Sequence, residues 1–179
     1  MKLLRFGELG SEKPGILDSG GQIRDLSSII QDINPSTIND STFDMLVNQD
    51  LSALPVVSAN TRLGACVGNV GKMICIGLNY SDHAAETGAT PPSEPIIFMK
   101  VNSAICGPND DVRIPKTSEK TDWEVELGFV IGKTAKYVAE ENAMEHVAGY
   151  CIVNDVSERA FQAERSGQWT KGKSCDTFG

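Results

Sequence analysis

Apolar side chains recur at every second position at Val125, Leu127, Phe129 and Ile131, inside the stretch Thr121-Asp122-Trp123-Glu124-Val125-Glu126-Leu127-Gly128-Phe129-Val130-Ile131-Gly132-Lys133. A period of two predicts a strand, and β-branched and aromatic residues suit its pleated surface. Alternation puts Glu124 and Glu126 on one face, with Trp123, Val125 and Leu127 on the other. Shorter apolar runs predict strands at 2–6, 14–17, 73–77, 95–100 and 149–153, of which 73–77 and 149–153 read as buried, and 112–115 is brief and extended. Asp18-Ser19-Gly20-Gly21 is a turn that closes a hairpin. Residues 42–47 predict a helix with Ser41 as N-cap and Asp44 as an imperfect capping box. Residues 139–147 predict another, with Ala143, Met144 and Val147 in one stripe, early glutamates, and Gly149 at the C-terminal cap.

The texture changes near Gly71. Residues 1–70 read as a small N-terminal α/β domain with nothing that points to chemistry, and 71–179 as a second unit. A hydrophobic fraction of 40% in 179 residues is compatible with a packed core. The formal charge of −8 argues against a nucleic-acid groove or an anionic membrane surface, which require a basic patch. Cys66, Cys75, Cys106, Cys151 and Cys175 are odd in number and form no C-x-x-C, so they read as free thiols rather than a disulfide framework or a zinc site. The N-terminus has no long apolar region, and the run near Met73 is far too short to span a bilayer. A cytoplasmic location is the default expectation.

Two groups of residues raise chemical possibilities. Glu124 and Glu126 are like charges on one strand face, which either share a cation or point into water from an edge. Asp155 follows the 149–153 strand, where a carboxylate is well placed to meet them. His83 and Glu86 are three apart, so one helical turn puts both on one side. Gly88, Pro91, Pro92 and Pro95 follow, so this segment is either a lid over a ligand or an ordinary surface turn. His146 takes a structural or dipole role at a helix end. The basic loop at 167–174 lacks the G-x-x-x-x-G-K-[ST] spacing and is not a P-loop.

Taken together, Ile76-Gly77-Leu78-Asn79-Tyr80-Ser81-Asp82-His83, the 95–100 strand, Asp122-Trp123-Glu124-Val125-Glu126-Leu127, Gly149-Tyr150 with Asn154-Asp155, and Gln168-Trp169-Thr170 with Lys173-Ser174 occur in an order and spacing that resembles the fumarylacetoacetate hydrolase superfamily. The resemblance covers about residues 70 to 179. It implies an α+β, β-rich architecture: a mixed β-roll, here incomplete, preceded by a small domain. It implies a divalent metal, Mg²⁺ or Mn²⁺ and sometimes Ca²⁺, on Glu124, Glu126 and Asp155. That ligand set is all oxygen and suits such hard cations.

The same resemblance implies that His83, oriented by Glu86, activates water, and that Lys173 helps a metal hold a pyruvate enolate. Arg159 and Gln162 fall on positions that bind substrate, a small 2-oxo or diketo acid. The implied reaction is hydrolysis of a carbon–carbon bond in an acylpyruvate or 2,4-diketo acid. Isomerases, decarboxylases and proteins called ureidoglycolate lyase share the site, and a non-catalytic ion-binding module is the alternative of a different class. A homodimer is expected. Glu158 stands where many members have a small residue and reads as surface variation. Members continue for about another hundred residues beyond the position of Gly179, so an N-terminal portion is expected.

Overall fold

The computed structural model describes residues 1–179. The chain is a mixed α+β, sheet-rich structure with few helices: β1 Lys2–Phe6, β2 Lys13–Leu17, β3 Ile23–Asp25, α1 Asp40–Val47, β4 Met73–Gly77, α2 Ser81–Glu86, β5 Ile96–Lys100, β6 Thr121–Asp122, β7 Val125–Ile131, β8 Val147–Asn154, β9 Ser157–Glu158 and α3 Trp169–Lys173. No helix is long and apolar enough to cross a membrane.

Two compact units form. The first comprises Met1–Val70, Cys106–Asp111 and Val125–Val153; the second comprises Gly71–Ile105, Val112–Glu124 and Asn154–Gly179. The span expected as one catalytic portion, 71–179, is therefore divided between both units. The physical reason is packing: Val130 of β7 and Ala148 of β8 lie against the core of Ile16, Leu26, Ile30, Ile33, Ile38, Leu46 and Leu54.

In unit 1, β1, β2 and β3 form an antiparallel sheet with Leu3 opposite Ile16 and Ile16 opposite Arg24. Asp18 closes the β2–β3 turn by accepting the Gly20 and Gln22 N–H groups, each at 2.9 Å. In unit 2, β4 pairs antiparallel with β5, and β6 with β9. Helix α3 packs on β5, on β9 and on a π-helical turn at Ala160–Glu164. A side chain at Gly172 would stand 2.4 Å from the Glu158 carbonyl oxygen and 2.7 Å from the Gln162 backbone nitrogen, so only glycine permits this approach.

Several local expectations are corrected. Asn39, not Ser41, caps α1: its Oδ1 accepts the Thr42 N–H at 2.9 Å, and Ser41 Oγ donates to the same atom. Asparagine caps as well as serine and lies one turn ahead of the apolar stripe. The 139–147 helix is a 3₁₀ helix over Glu140–His146, and Gly149 lies inside β8 because pairing with β7 begins at Val147. Residues 112–115 form no strand. The long acidic strand breaks at Trp123-Glu124 into β6 and β7.

Its alternation holds: Val125, Leu127, Phe129 and Ile131 are exposed, while Glu126, Gly128 and Val130 are half-buried. The strands expected as buried likewise show Ile74, Ile76, Tyr150 and Ile152 to solvent.

Arg62 ties distant parts of unit 1, pairing with Asp110 at 2.6 Å and Glu12 at 3.0 Å. Asp110 is held below the ordinary carboxylate range chiefly by its hydrogen bond from Arg62. Burial pushes Glu12 upward, but the backbone and the Arg62 and Arg5 cations outweigh it, and its pKa is lowered. Depressed carboxyl pKa values contribute stability that is present above the unfolded values near pH 4 and lost as pH falls through the folded values. Urea midpoints of the chain should therefore hold from neutral pH down to about 4 and drop below it. Arg62→Gln should lower neutral-pH stability by about 2 kcal/mol and flatten that acid limb.

Candidate functional site

The end of β8 hands the chain to Asp155, which is 4% exposed. Its backbone N–H donates to the Glu124 carbonyl at 2.9 Å, and the Asn154 side chain accepts the Glu124 N–H at 3.2 Å. These bonds place the break after β6 directly beside Asp155. Two lysines meet there. Lys100, last residue of β5 and 1% exposed, donates to Asp155 Oδ1 at 2.5 Å and to the Val156 carbonyl at 3.1 Å. Lys173, last residue of α3 and 2% exposed, donates to Asp155 Oδ2 at 2.9 Å and to Glu124 Oε2 at 2.6 Å. Burial depresses the Lys100 pKa, and the Asp155 charge offsets only part of that. Lys173 also lies 5.2 Å from the centre of the Phe98 ring, which packs edge-to-face on Trp169.

Glu124, Glu126 and Asp155 each present a carboxylate oxygen, and these atoms lie within 4.8 Å of one another. Three like charges so close require positive charge between them. The donor set contains no sulfur and no imidazole, which favours a hard cation over zinc. One ammonium, that of Lys173, already bridges two of the three carboxylates, so the site draws cationic charge to that point. On both counts the residues fit a divalent cation.

Arg159, just after β9, donates through Nη2 to Asp122 Oδ2 at 2.8 Å and lies 2.6 Å from Glu124 Oε1. Its Nη1 donates to Gln162 Oε1 at 3.2 Å, and Gln162 is buried. Burial disfavours the Arg159 charge, but Asp122 and Glu124 outweigh it, so its pKa is raised. Asp122 is held below the ordinary range first by the Arg159 hydrogen bond, against burial, and the charge of His83 adds to that pull. His83 is thus within electrostatic reach of Asp122. It sits half-buried on α2, beside the buried Ala84, while Glu86 is exposed. The hydrogen bonds of His83 run through its backbone, to Asp82 Oδ1 and from Thr87 Oγ1, and none joins its ring to Glu86. Leu78, in the turn between β4 and α2, has φ of 52°, a strained value for a bulky residue.

Three residues escape a reading of the sequence. Lys100 ends an otherwise apolar strand, a signal of a buried amine that needs a partner. Asp122 shares the parity of Glu124 and Glu126. Glu158 is not surface variation: it is fully buried, and its carboxylate accepts from Ser118, Thr121 and the N–H groups of Lys120 and Ala160. Nothing local marks it, because all its partners but Ala160 lie on or just before β6, about 40 residues earlier.

The sequence profile described as "Fumarylacetoacetate (FAA) hydrolase C-terminal" matches residues 72–179, more than half of the chain. The chain belongs to the fumarylacetoacetate hydrolase family. A Burkholderia lata relative that carries the provisional name hydrolase is 60% identical over 179 residues, 100% of this chain and 64% of its own length. The chain thus spans 64% of the length of the curated relatives it matches. Among solved structures, a fumarylacetoacetate hydrolase from Exiguobacterium antarcticum is 34% identical with a TM-score of 0.75, over 99% of this chain and 63% of that one. A 5-carboxymethyl-2-hydroxymuconate delta-isomerase from Mycobacterium smegmatis is 30% identical with a TM-score of 0.74, over 99% and 63%. The family thus includes proteins named hydrolases and proteins named isomerases.

Removing one partner of a buried ion pair leaves an uncompensated charge. Lys100→Met should destabilise unit 2 by about 3 kcal/mol in urea melts, and adding Asp155→Asn should restore part of the loss because the orphaned carboxylate is gone. A double variant no more stable than Lys100→Met would show that the lysine acts through packing alone.

Proposed function

We propose that this protein is a divalent-metal-dependent hydrolase that cleaves a carbon–carbon bond in an acylpyruvate or 2,4-diketo acid. The observation that carries the reading is the convergence of Glu124, Glu126 and Asp155 with the Lys173 ammonium between two of them. Those three carboxylates would hold the ion, Mg²⁺ or Mn²⁺ with Ca²⁺ also suited, and the chemistry such an ion supplies when bound is electrophilic polarisation of oxygen.

The chain's own groups do the rest. The Arg159 guanidinium and the Gln162 amide bind and orient the substrate carboxylate and carbonyl oxygens. A ring nitrogen of His83 takes a proton from water, with Glu86 supporting the imidazolium. The resulting hydroxide adds to the carbonyl remote from the 2-oxo acid. The bond between that carbonyl carbon and the adjacent methylene then breaks. One product is a carboxylate; the other keeps the electron pair as a pyruvate enolate and takes the proton back from His83. Lys173 lies where its charge favours the negative oxygen that forms. The buried Lys100 keeps Asp155 in place.

Isomerisation is the second reading. It is favoured by the missing hydrogen bond between His83 and Glu86 and by the likeness to the Mycobacterium smegmatis isomerase. A hydrolase needs a base for water, whereas an isomerase needs only to move a proton on the substrate. The proposal also includes a homodimer, supported by the exposed apolar side of β7 and β8; sedimentation as a monomer would remove that part.

The test is a panel of acylpyruvates, diketo acids, hydroxymuconate-type acids and oxaloacetate, assayed with Mg²⁺, with Mn²⁺ and with chelator. Chelator should abolish turnover. Glu124→Ala and Asp155→Ala should lose metal and turnover together. His83→Ala should keep metal and slow hydrolysis by about 100-fold or more, as loss of a general base does. Undiminished hydrolysis in His83→Ala would remove the base assignment, and full activity in chelator would remove the metal.

A further inference from the structure

The Arg159 guanidinium is shared between two carboxylates. Nη2 lies 2.8 Å from Asp122 Oδ2 and 2.6 Å from Glu124 Oε1. Nε donates to the same Asp122 oxygen at 3.1 Å, and Nη1 donates to Gln162 at 3.2 Å. Asp122 is itself fixed. Its Oδ1 accepts the Trp123 N–H at 3.0 Å, and its backbone pairs with Ser157 across β6 and β9, two residues before Arg159. Glu124 is differently committed, since its other oxygen takes the Lys173 ammonium.

We propose that Asp122 is a positioning residue that holds Arg159 off Glu124, so that Glu124 can accept a divalent cation while the guanidinium stays aimed at substrate. The inference deepens the proposed function and rests on its metal reading. The reason is competition. A cation that takes a Glu124 oxygen must break or weaken the bond from Arg159, and the guanidinium then needs another anion. Asp122 provides one in place, with two N–H donors already on a single oxygen. Gln162 is neutral and cannot fill that role. Without the Asp122 charge, Arg159 pairs with Glu124 alone and opposes the incoming ion.

An ordinary half-exposed ion pair would be worth little and would only join β6 to β9. The two roles separate in Mn²⁺ affinity, measured by electron paramagnetic resonance on the purified chain. Asp122→Asn keeps the acceptor for the Trp123 N–H and removes the charge. It should weaken Mn²⁺ about tenfold, the scale of one charge-assisted hydrogen bond. Arg159→Met should tighten Mn²⁺, because Glu124 is released. The double variant should bind like Arg159→Met to within about threefold, since Asp122 then has nothing left to hold. Asp122→Glu should recover part of the affinity lost in Asp122→Asn.

A fold-loss from Asp122→Asn that is equal with and without Arg159 would mean simple charge attraction, and would overturn the proposal. A lower melting temperature with unchanged Mn²⁺ affinity would mean a structural staple, and would overturn it as well. Should Asp122→Asn not fold, Arg159→Met alone decides: weaker Mn²⁺ binding in it overturns the idea. Failure of the unaltered protein to bind Mn²⁺ would remove the metal reading itself, a distinct result.

Discussion

A carboxylate almost without solvent is costly to keep charged, and the arrangement around Asp155 is set by how that cost is met. Lys100 takes one oxygen and Lys173 the other, so the last residues of β5 and α3 are drawn to the same point. Each lysine is itself buried, and a buried ammonium without a counter-charge is costly. The three groups are therefore held jointly, and none tolerates removal of another. The second lysine then reaches Glu124, which extends the paired cluster to the break between β6 and β7. The placement of the site is thus a consequence of charge neutralisation in a low dielectric, fixed before any ligand arrives.

Precision beyond this comes from backbone contacts that leave little room to move. Gly172 lets α3 lie against the Glu158 carbonyl and the Gln162 backbone, and the position of Lys173 follows from that approach. Gly77 performs the same service for the Trp169 ring, which would lie 2.6 Å from a side-chain carbon there. Glu158 is a buried anion that N–H and hydroxyl donors satisfy, most of them from the segment that leads into Asp122 and one from Ala160. A polar network of that kind is stabilising only when complete, which makes it a strong constraint on local register.

The period of the sequence was enough to find β1, β2, β4, β5, β7 and β8, because alternation and strand-forming residues are local properties. It also grouped Glu124, Glu126 and Asp155, since parity and a strand end decide which residues can meet. Which side of a strand is buried is not local. Val125, Leu127, Phe129 and Ile131 make the more apolar face, yet the half-buried face carries Glu126, Gly128 and Val130, because Val130 meets the core of unit 1. Lys100 and Glu158 escaped for a related reason: their partners are 55 and about 40 residues away. A charge whose partner is distant looks like a surface charge in one dimension. The choice of Asn39 over Ser41 as cap is a near tie in propensity, settled by where the apolar stripe of α1 meets its core.

The cluster fixes where a cation is welcome but not which bond is broken. In the proposed function, carbon–carbon hydrolysis and proton-shift isomerisation both pass through an oxyanion on the 2-oxo acid, and the Lys173 charge would serve either. The difference must come from the group that handles the proton. In the proposed function that group is His83 on α2, a six-residue helix with no side-chain cap at its start and one buried residue, Ala84. So short a helix draws its stability from packing rather than from its own hydrogen bonds. The strained turn at Leu78 leads the chain into it. Under the proposed function, reaction type would therefore follow from how α2 is seated, whereas substrate binding would follow from the charged cluster around Asp155.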